Sequence, residues 1–356
     1  MKKQCSVLIC YQVRGHLGLR NKLETLARGF REAGCKVNIC YVDATARVPA
    51  RIWQLLRTHL AFCGSLIFRR HAIIFVRYNY HFIVMFLLAR LFPRKRMNLE
   101  WNSDHLNEFS LQGQRLRGLI DEFAFHHAVR SAACVHVVSR ELIDRYSTKN
   151  PSARFLYNPN FVVDPFYSRH ENLERRPVRI VFLGDTAQPW QGIEIFIERA
   201  LAGNEWFAAN GELHLIGHVS EATRACVHRY GLADQVYEHG LQHGERKRDL
   251  LASMHVGIGV FNLKAKGMRE TTSIKVGEYL YAGLPIIIGY EDLSLPPNAR
   301  FVLSLSLTDE DEVHVRVNSF LESVCDPAVR RQAHEYAAQQ LMVHNYVSRV
   351  LEHGVA

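Results

Sequence analysis

The residues best suited to chemistry sit together in one stretch, Arg269 to Gly289, RETTSIKVGEYLYAGLPIIIG. Two carboxylates, Glu270 and Glu278, bracket its middle, and Lys264, Lys266, Arg269 and Lys275 supply positive charge around them. Thr271, Thr272 and Ser273 are hydroxyl residues of the kind that cap a helix. The stretch therefore predicts a helix that opens near Ile274 and ends at Gly283, with Pro285 starting a strand. An open helix start presents backbone N–H groups and the positive end of a dipole, and together these bind phosphate without a metal. Carboxylates beside a diphosphate have a use when the same ligand carries hydroxyls, because a carboxylate accepts paired hydrogen bonds from neighbouring OH groups. Residue types alone also allow a plainer arrangement, with Lys275 and Glu278 an exposed helix pair and Glu270 serving the dipole.

Such a helix needs a strand to aim it, and HVGIGVF precedes it through a long polar loop. The whole chain repeats this plan. SVLICYQ, KVNICYV, AIIFVRY, MNLEW and ACVHVVS read as strands, each trailed by a helical pattern. The first helix gathers Leu19, Leu23, Leu26, Ala27 and Phe30 on one face and stops at Gly34. AIIFVRY leads into an apolar stretch, FIVMFLLARLF, read as a core helix. NPNFVVDPF and the polar run SRHENLERRP then break the alternation, which restarts with RIVFLG, ELHLIGH, QVYEHG, HVGIGVF and LPIIIGY. The expected fold class is α/β, with two Rossmann-like, doubly wound parallel sheets. The expected organisation is an N-terminal domain over 1–165, a linker over 166–177, a second domain over 178–325, and helices over 326–356 able to cross back onto the first domain. In such sheets ligands sit beyond the carboxyl ends of the strands, here in a cleft between two facing domains.

The bulk properties narrow the function. The 356 residues suit two cores, and a formal charge of +9 suits nucleic acid, an anionic membrane surface or phosphorylated small molecules. The basic residues form short, scattered clusters without interleaved aromatics, which argues against nucleic acid as a partner. Eight cysteines lack metal-ligand spacing and several lie in apolar runs, so reduced thiols in a cytoplasmic setting are expected. The N-terminal apolar run is broken by Gln12 and Arg14, and Ile73 to Phe92 by Arg77, Asn79, His81 and Arg90. Neither reads as a signal peptide or a spanning helix.

With Glu270 and Glu278 as E-x7-E, the run SIKVGEYL followed by AGLPII resembles the donor-site signature of retaining GT-B glycosyltransferases of the family-four kind. Phe182-Leu183-Gly184 with Trp190-Gln191-Gly192 extends the resemblance, as do ELHLIGH, QVYEHG, and VHVVS with Pro159-Asn160 beyond it. The resemblance implies a GT-B fold and a UDP- or GDP-sugar donor. It implies that Glu270 contacts the donor sugar's hydroxyls, that Glu278 contacts the ribose, and that the intervening amides of Thr272, Ser273 and Ile274 hold the diphosphate. Gly184 and a glycine-rich loop at Gly15 and Gly18 would lie against the donor, and His239 near its base. Family members commonly carry Arg and Lys where this chain has Asp185 and Gln191. The phosphate duty is accordingly expected of Lys275, Arg269, Lys266 and the helix amides. His105, after the strand MNLEW, is a further candidate for contact with donor or acceptor. The implied activity is metal-independent, needs no cofactor, and moves a hexose-type sugar with retention onto a glycan or lipid-linked acceptor of cell-surface polysaccharide. The enzyme would be cytoplasmic and able to sit on the inner face of an anionic membrane. A sugar-nucleotide epimerase or phosphorylase fits the same residues, and a basic nucleic-acid-binding α/β protein is a more distant alternative.

Overall fold

The computed structural model describes residues 5–13, 17–68, 70–92, 96–111, 113–166, 176–305 and 312–353. Among these, the strands form two all-parallel sheets of six, one in each of two compact units. The first unit comprises residues up to Val163 together with Met342–Ala356, and the second spans Asp164–Leu341.

The first unit runs β1 (Ser6–Val13), α1 (Leu17–Glu32), β2 (Lys36–Asp43), α2 (Val48–Ile67), β3 (Ile73–Arg77), α3 (Ile83–Ala89), β4 (Met97–Trp101), α4 (His105–Leu111), α5 (Arg115–Ser131), β5 (Ala132–Val137), α6 (Arg140–Ser147) and β6 (Phe155–Tyr157). Its strand order is β2-β1-β3-β4-β5-β6. Central β1 is buried from Val7 to Val13, as a strand covered on both faces must be, whereas the edge strand β2 alternates exposed and covered positions. The helix read as core, α3, is core on one side only. Met85, Phe86 and Ala89 are buried while Val84 and Leu87 face outward, because a seven-residue helix lying on a sheet has only one side to bury.

At the carboxyl edge of this sheet a buried ion cluster ties distant segments together. Glu100 of β4 receives Lys22 of α1 and the Tyr11 hydroxyl, with Arg77 Nη1 at 3.4 Å. Burial pushes the Glu100 carboxyl up, but Lys22 and Arg77 outweigh it and hold the group at about 2. Lys22 also donates to Asn160 Oδ1 at 2.7 Å. Removing one partner of such a cluster strands the others in a medium of low polarity, which costs roughly 3–5 kcal/mol.

The second unit runs β7 (Val178–Leu183), α7 (Ile193–Phe196) continued by a π-helical turn (Ile197–Leu201), α8 (Glu205–Asn210), β8 (Gly211–Ile216), α9 (Glu221–Arg229), β9 (Val236–Gly240), α10 (Gly244–Ala252), β10 (Val256–Ile258), α11 (Ile274–Tyr281), β11 (Ile286–Ile288), β12 (Val302–Ser304), α12 (Val313–Ser323) and α13 (Pro327–Gln340). The final helix, α14 (Val343–His353), belongs with the first unit. There, Val343 and Val347 lie against Gly29 of α1, where an added Cβ would come within 2.8 Å of Val343. The order of the second sheet is β12-β11-β10-β7-β8-β9. The chain moves outward from β7 to β9 and then returns to β10 on the other side of β7. The topological switch point therefore lies between β7 and β10, and in open parallel sheets ligands bind beyond the strands' carboxyl ends at this point.

Candidate functional site

The carboxyl edge of the second sheet is lined with glycine. β7, β8, β10 and β11 are each followed by one (Gly184, Gly217, Gly259, Gly289), and β9 ends in Gly240. At Gly184 and Gly217 the backbone takes a conformation that residues with a side chain rarely adopt. Gly184 and Gly217 adopt φ of +153° and +131°, and a Cβ on Gly217 would lie 1.9 Å from the Gly184 carbonyl oxygen. The backbone at the end of β7 is thus laid bare, without side chains between it and whatever approaches.

Helix α11 reaches this edge from β10. Tyr279 seats it: the Leu183 N–H donates to the Tyr279 hydroxyl at 2.6 Å, tying the helix to the last residue of β7. The aromatic ring fills the space over Gly257 of β10, where a Cβ would come within 2.4 Å of it. Ser273 takes the N-cap position in extended conformation. The expectation that its hydroxyl caps the helix is corrected, since its side chain makes no capping bond. Its carbonyl accepts from the Val276 and Gly277 N–H groups at 3.2 and 3.4 Å, and the amides before them have no partner inside the helix.

Lys275, in the first turn, folds inward. Its ammonium lies 3.9 Å from the centre of the Phe182 ring and donates to Gln191 Oε1 at 2.7 Å. The same Nζ is 3.6 Å from where a Cβ on Gly184 would be. Gln191, neutral where the family pattern has a cation, is thus the residue that Lys275 reaches across the loop after β7. Burial alone pulls the ammonium down to about 7. The loop is braced from below: the Phe261 and Asn262 N–H groups donate to the Gln191 and Trp190 carbonyls at 2.9 and 3.3 Å. Lys266 lies over the Trp190 ring, 3.9 Å from its centre.

The two carboxylates flank this point from different supports. Glu270 is buried and pairs as an isolated parallel bridge with Glu291 beyond β11. On either side of it, the Thr271 N–H donates to the Glu291 carbonyl at 3.1 Å and the Glu291 N–H to the Arg269 carbonyl at 3.0 Å. Glu278 is buried on α11 with Lys247 of α10 3.4 Å away. Lys247 is itself 3.0 Å from Asp164, which takes Arg248 at 2.7 Å. Burial pushes the Glu278 carboxyl up and Lys247 opposes it. Sequence reasoning missed two groups here, Lys247 and Asp292. Burial pushes the Asp292 carboxyl up to about 7; bonds from Ser294 oppose the shift and the nearby Glu270 charge adds to it. Asp292 sits in the turn EDLS after LPIIIGY, and nothing in its spacing marks it.

The structure thus gathers Gly184, Ser273, Ile274, Lys275, the buried Thr272 and both glutamates around the start of α11, with Lys266 and the exposed Arg269 on the preceding loop. His239 lies farther along the same sheet on β9, its Nε2 2.9 Å from His214 Nδ1, with Glu212 3.2 Å beyond. His105 belongs to the first unit, where it stacks on Tyr78 at 5.4 Å and lies 3.8 Å from Asp121, so its position is set by packing within that unit. Gly15 lies outside the described residues. Among the described residues no group of three His, Cys, Asp or Glu side chains is placed to hold a metal ion.

No protein-family model and no curated protein matches the chain in sequence. Solved structures match it in shape. Sucrose-phosphate synthase from Thermosynechococcus elongatus superposes with a TM-score of 0.70 at 14% identity, over 98% of each chain. WaaG, a glycosyltransferase involved in lipopolysaccharide biosynthesis, gives 0.66 at 13% identity, over 97% of this chain and 99% of that one. An alpha-glucosyltransferase in complex with UDP-glucose and DNA containing an abasic site gives 0.60 at 12% identity, over 98% of each. The fold is GT-B. At these identities the likeness speaks for the fold, and function has to be argued from the site. Within this GT-B chain, the start of α11, the buried Lys275 and the bare backbone of Gly184 meet at the topological switch point of the second unit.

Proposed function

We propose that the chain is a retaining, metal-independent glycosyltransferase that moves a hexose-type sugar from a UDP- or GDP-sugar to a glycan or lipid-linked acceptor of a cell-surface polysaccharide. The observation that carries the donor half is the Lys275 ammonium, buried beside the bare backbone of Gly184 at the first turn of α11. A diphosphate fits this place: it meets helix amides, a positive dipole end and one cation already stripped of water. Glu278, a turn further along α11, then takes the ribose hydroxyls, and Glu270 takes those of the sugar. The acceptor oxygen bonds to the anomeric carbon as the carbon–phosphate oxygen bond breaks on the same face. The acceptor proton passes to the departing phosphate oxygen, so the configuration is kept. The protein's part is orientation and stabilisation of the leaving charge. The named neighbours support this class: one was solved with UDP-glucose and another acts in lipopolysaccharide biosynthesis. All eight cysteines are free, which supports a reducing, cytoplasmic setting. No helix among the described residues is long and apolar enough to cross a membrane.

The test is transfer from UDP-, GDP- and ADP-sugars, with the donor first found by thermal stabilisation. Glu270→Ala should keep the melting temperature of the free protein and lose turnover by about 10²-fold or more. Wild-type turnover in a folded Glu270→Ala chain counts against the role, and consumption of donor without acceptor turns the assignment toward an epimerase.

A further inference from the structure

One surface of the first unit is apolar where water should meet it. Helices α2, α3 and α5 form a continuous layer. His59 of α2 lies 6.2 Å from the Phe82 ring just before α3, Arg90 after α3 is 2.8 Å from His127 of α5, and Ser131 at the end of α5 donates to the Phe86 carbonyl at 2.8 Å. On α5, Leu116, Leu119, Ile120 and Phe123 fall on one helical face, and all are exposed, Leu116 by 73%. The sheet side of the same helix buries Ala124, Phe125, Ala128 and Val129. Ile52, Leu56 and Leu60 repeat the exposed stripe along α2, and Val84 and Leu87 along α3, with Leu91 just beyond α3 exposed by 75%. Single exposed apolar residues are ordinary, but three adjacent helices each turning an apolar stripe outward make a contiguous patch of the kind that marks an interaction surface.

Charge identifies what meets it. Residues 47–130 contain thirteen Lys and Arg against five Asp and Glu, so this segment holds eight of the chain's nine excess positive charges. Three of the five acids, Glu100, Asp104 and Asp121, are buried. Arg51, Arg57, Arg90, Arg115, Arg117 and Arg130 are exposed alongside the stripes. A second copy of this face would set arginine against arginine, and a nucleic acid would leave the leucines unanswered. An anionic lipid surface answers both, with apolar side chains entering the acyl boundary and arginines meeting the headgroups. We propose that the α2–α3–α5 face docks flat on an anionic bilayer. The proposal stands independently of the glycosyltransferase assignment, because it rests on a different surface and its test reads no turnover.

The test is flotation of the full chain with phosphatidylcholine vesicles, with and without phosphatidylglycerol, over a salt series. Binding should need the anionic lipid and weaken as salt rises. Arg115→Glu with Arg117→Glu should weaken it by roughly fivefold or more per arginine. Leu119→Ser with Phe123→Ser, on solvent-facing positions, should abolish it while the melting temperature holds. Equal affinity for neutral and anionic vesicles, or no binding to either, overturns the proposal. So does a dimer in light scattering that the Leu119 and Phe123 substitutions dissolve, since the patch would then be a self-interface.

Discussion

Lys275 is an ammonium buried against Phe182 whose bonded partner among the described residues is the neutral Gln191. Its folded value of about 7 lies below the ordinary 10.5, so between those values the unfolded chain binds more protons than the folded one. Stability from this group therefore rises with pH from about 7 toward 10.5, and the charged form is a burden below that window. A bound diphosphate reverses the preference by favouring the charge, so donor binding near pH 8 should take up a proton. Calorimetry in two buffers of different ionisation enthalpy measures that uptake. Lys275→Met should abolish the uptake, weaken donor binding by about tenfold or more, and raise the melting temperature of the free protein. Unchanged affinity would pass the phosphate role to Arg269, Lys264 or Lys266. Lys275 stood out in the sequence because Asp185 and Gln191 occupy places where the resemblance leads one to expect cations. Its inward fold onto Gln191 was not, since the two are joined only by the closing of β7 on β10.

At the level of elements, α11 works because strand and helix were cut to fit each other. Gly257 leaves room for the Tyr279 ring, and the Tyr279 hydroxyl receives the amide that ends β7. Gly257→Ala should destabilise by ~1–3 kcal/mol in urea denaturation, because the new methyl group meets an immobile ring. Gly64→Ala, in α2 with open space around it, should be neutral or stabilising by up to ~1 kcal/mol. Equal effects at the two sites would mean that α11 is not held as described. The strands flanking this seat were readable from FLG, LIG, GIG and IIG, where an apolar run stops at a glycine. β6 and β12, three residues each, were too short to show a period, and the π-helical turn Ile197–Leu201 has no signature in residue type. The ion cluster of Lys22, Arg77 and Glu100 was equally hidden, its members being brought together only by sheet order.

Across the whole molecule, two units repeat one plan with opposite chemistry at the carboxyl edge of each sheet. In the first, the Glu100 carboxylate is met by Lys22, Arg77, Tyr11 and Asn102. In the second, the cation at the switch point meets the Phe182 ring and donates to an amide oxygen, and the backbone beside it is glycine. The alternation of strands and helices made both sheets readable in advance, but which edge carries a paired ion cluster and which sets a cation beside glycine backbone shows only in the folded structure. Hydrogen exchange over the full chain, with UDP, GDP and ADP added in turn, tests that contrast most directly. One nucleotide should slow exchange at 184–192 and 270–281 and leave the carboxyl edge of the first sheet unchanged. Protection confined to the first unit, or none at the start of α11 with any of the three, would contradict a diphosphate site there.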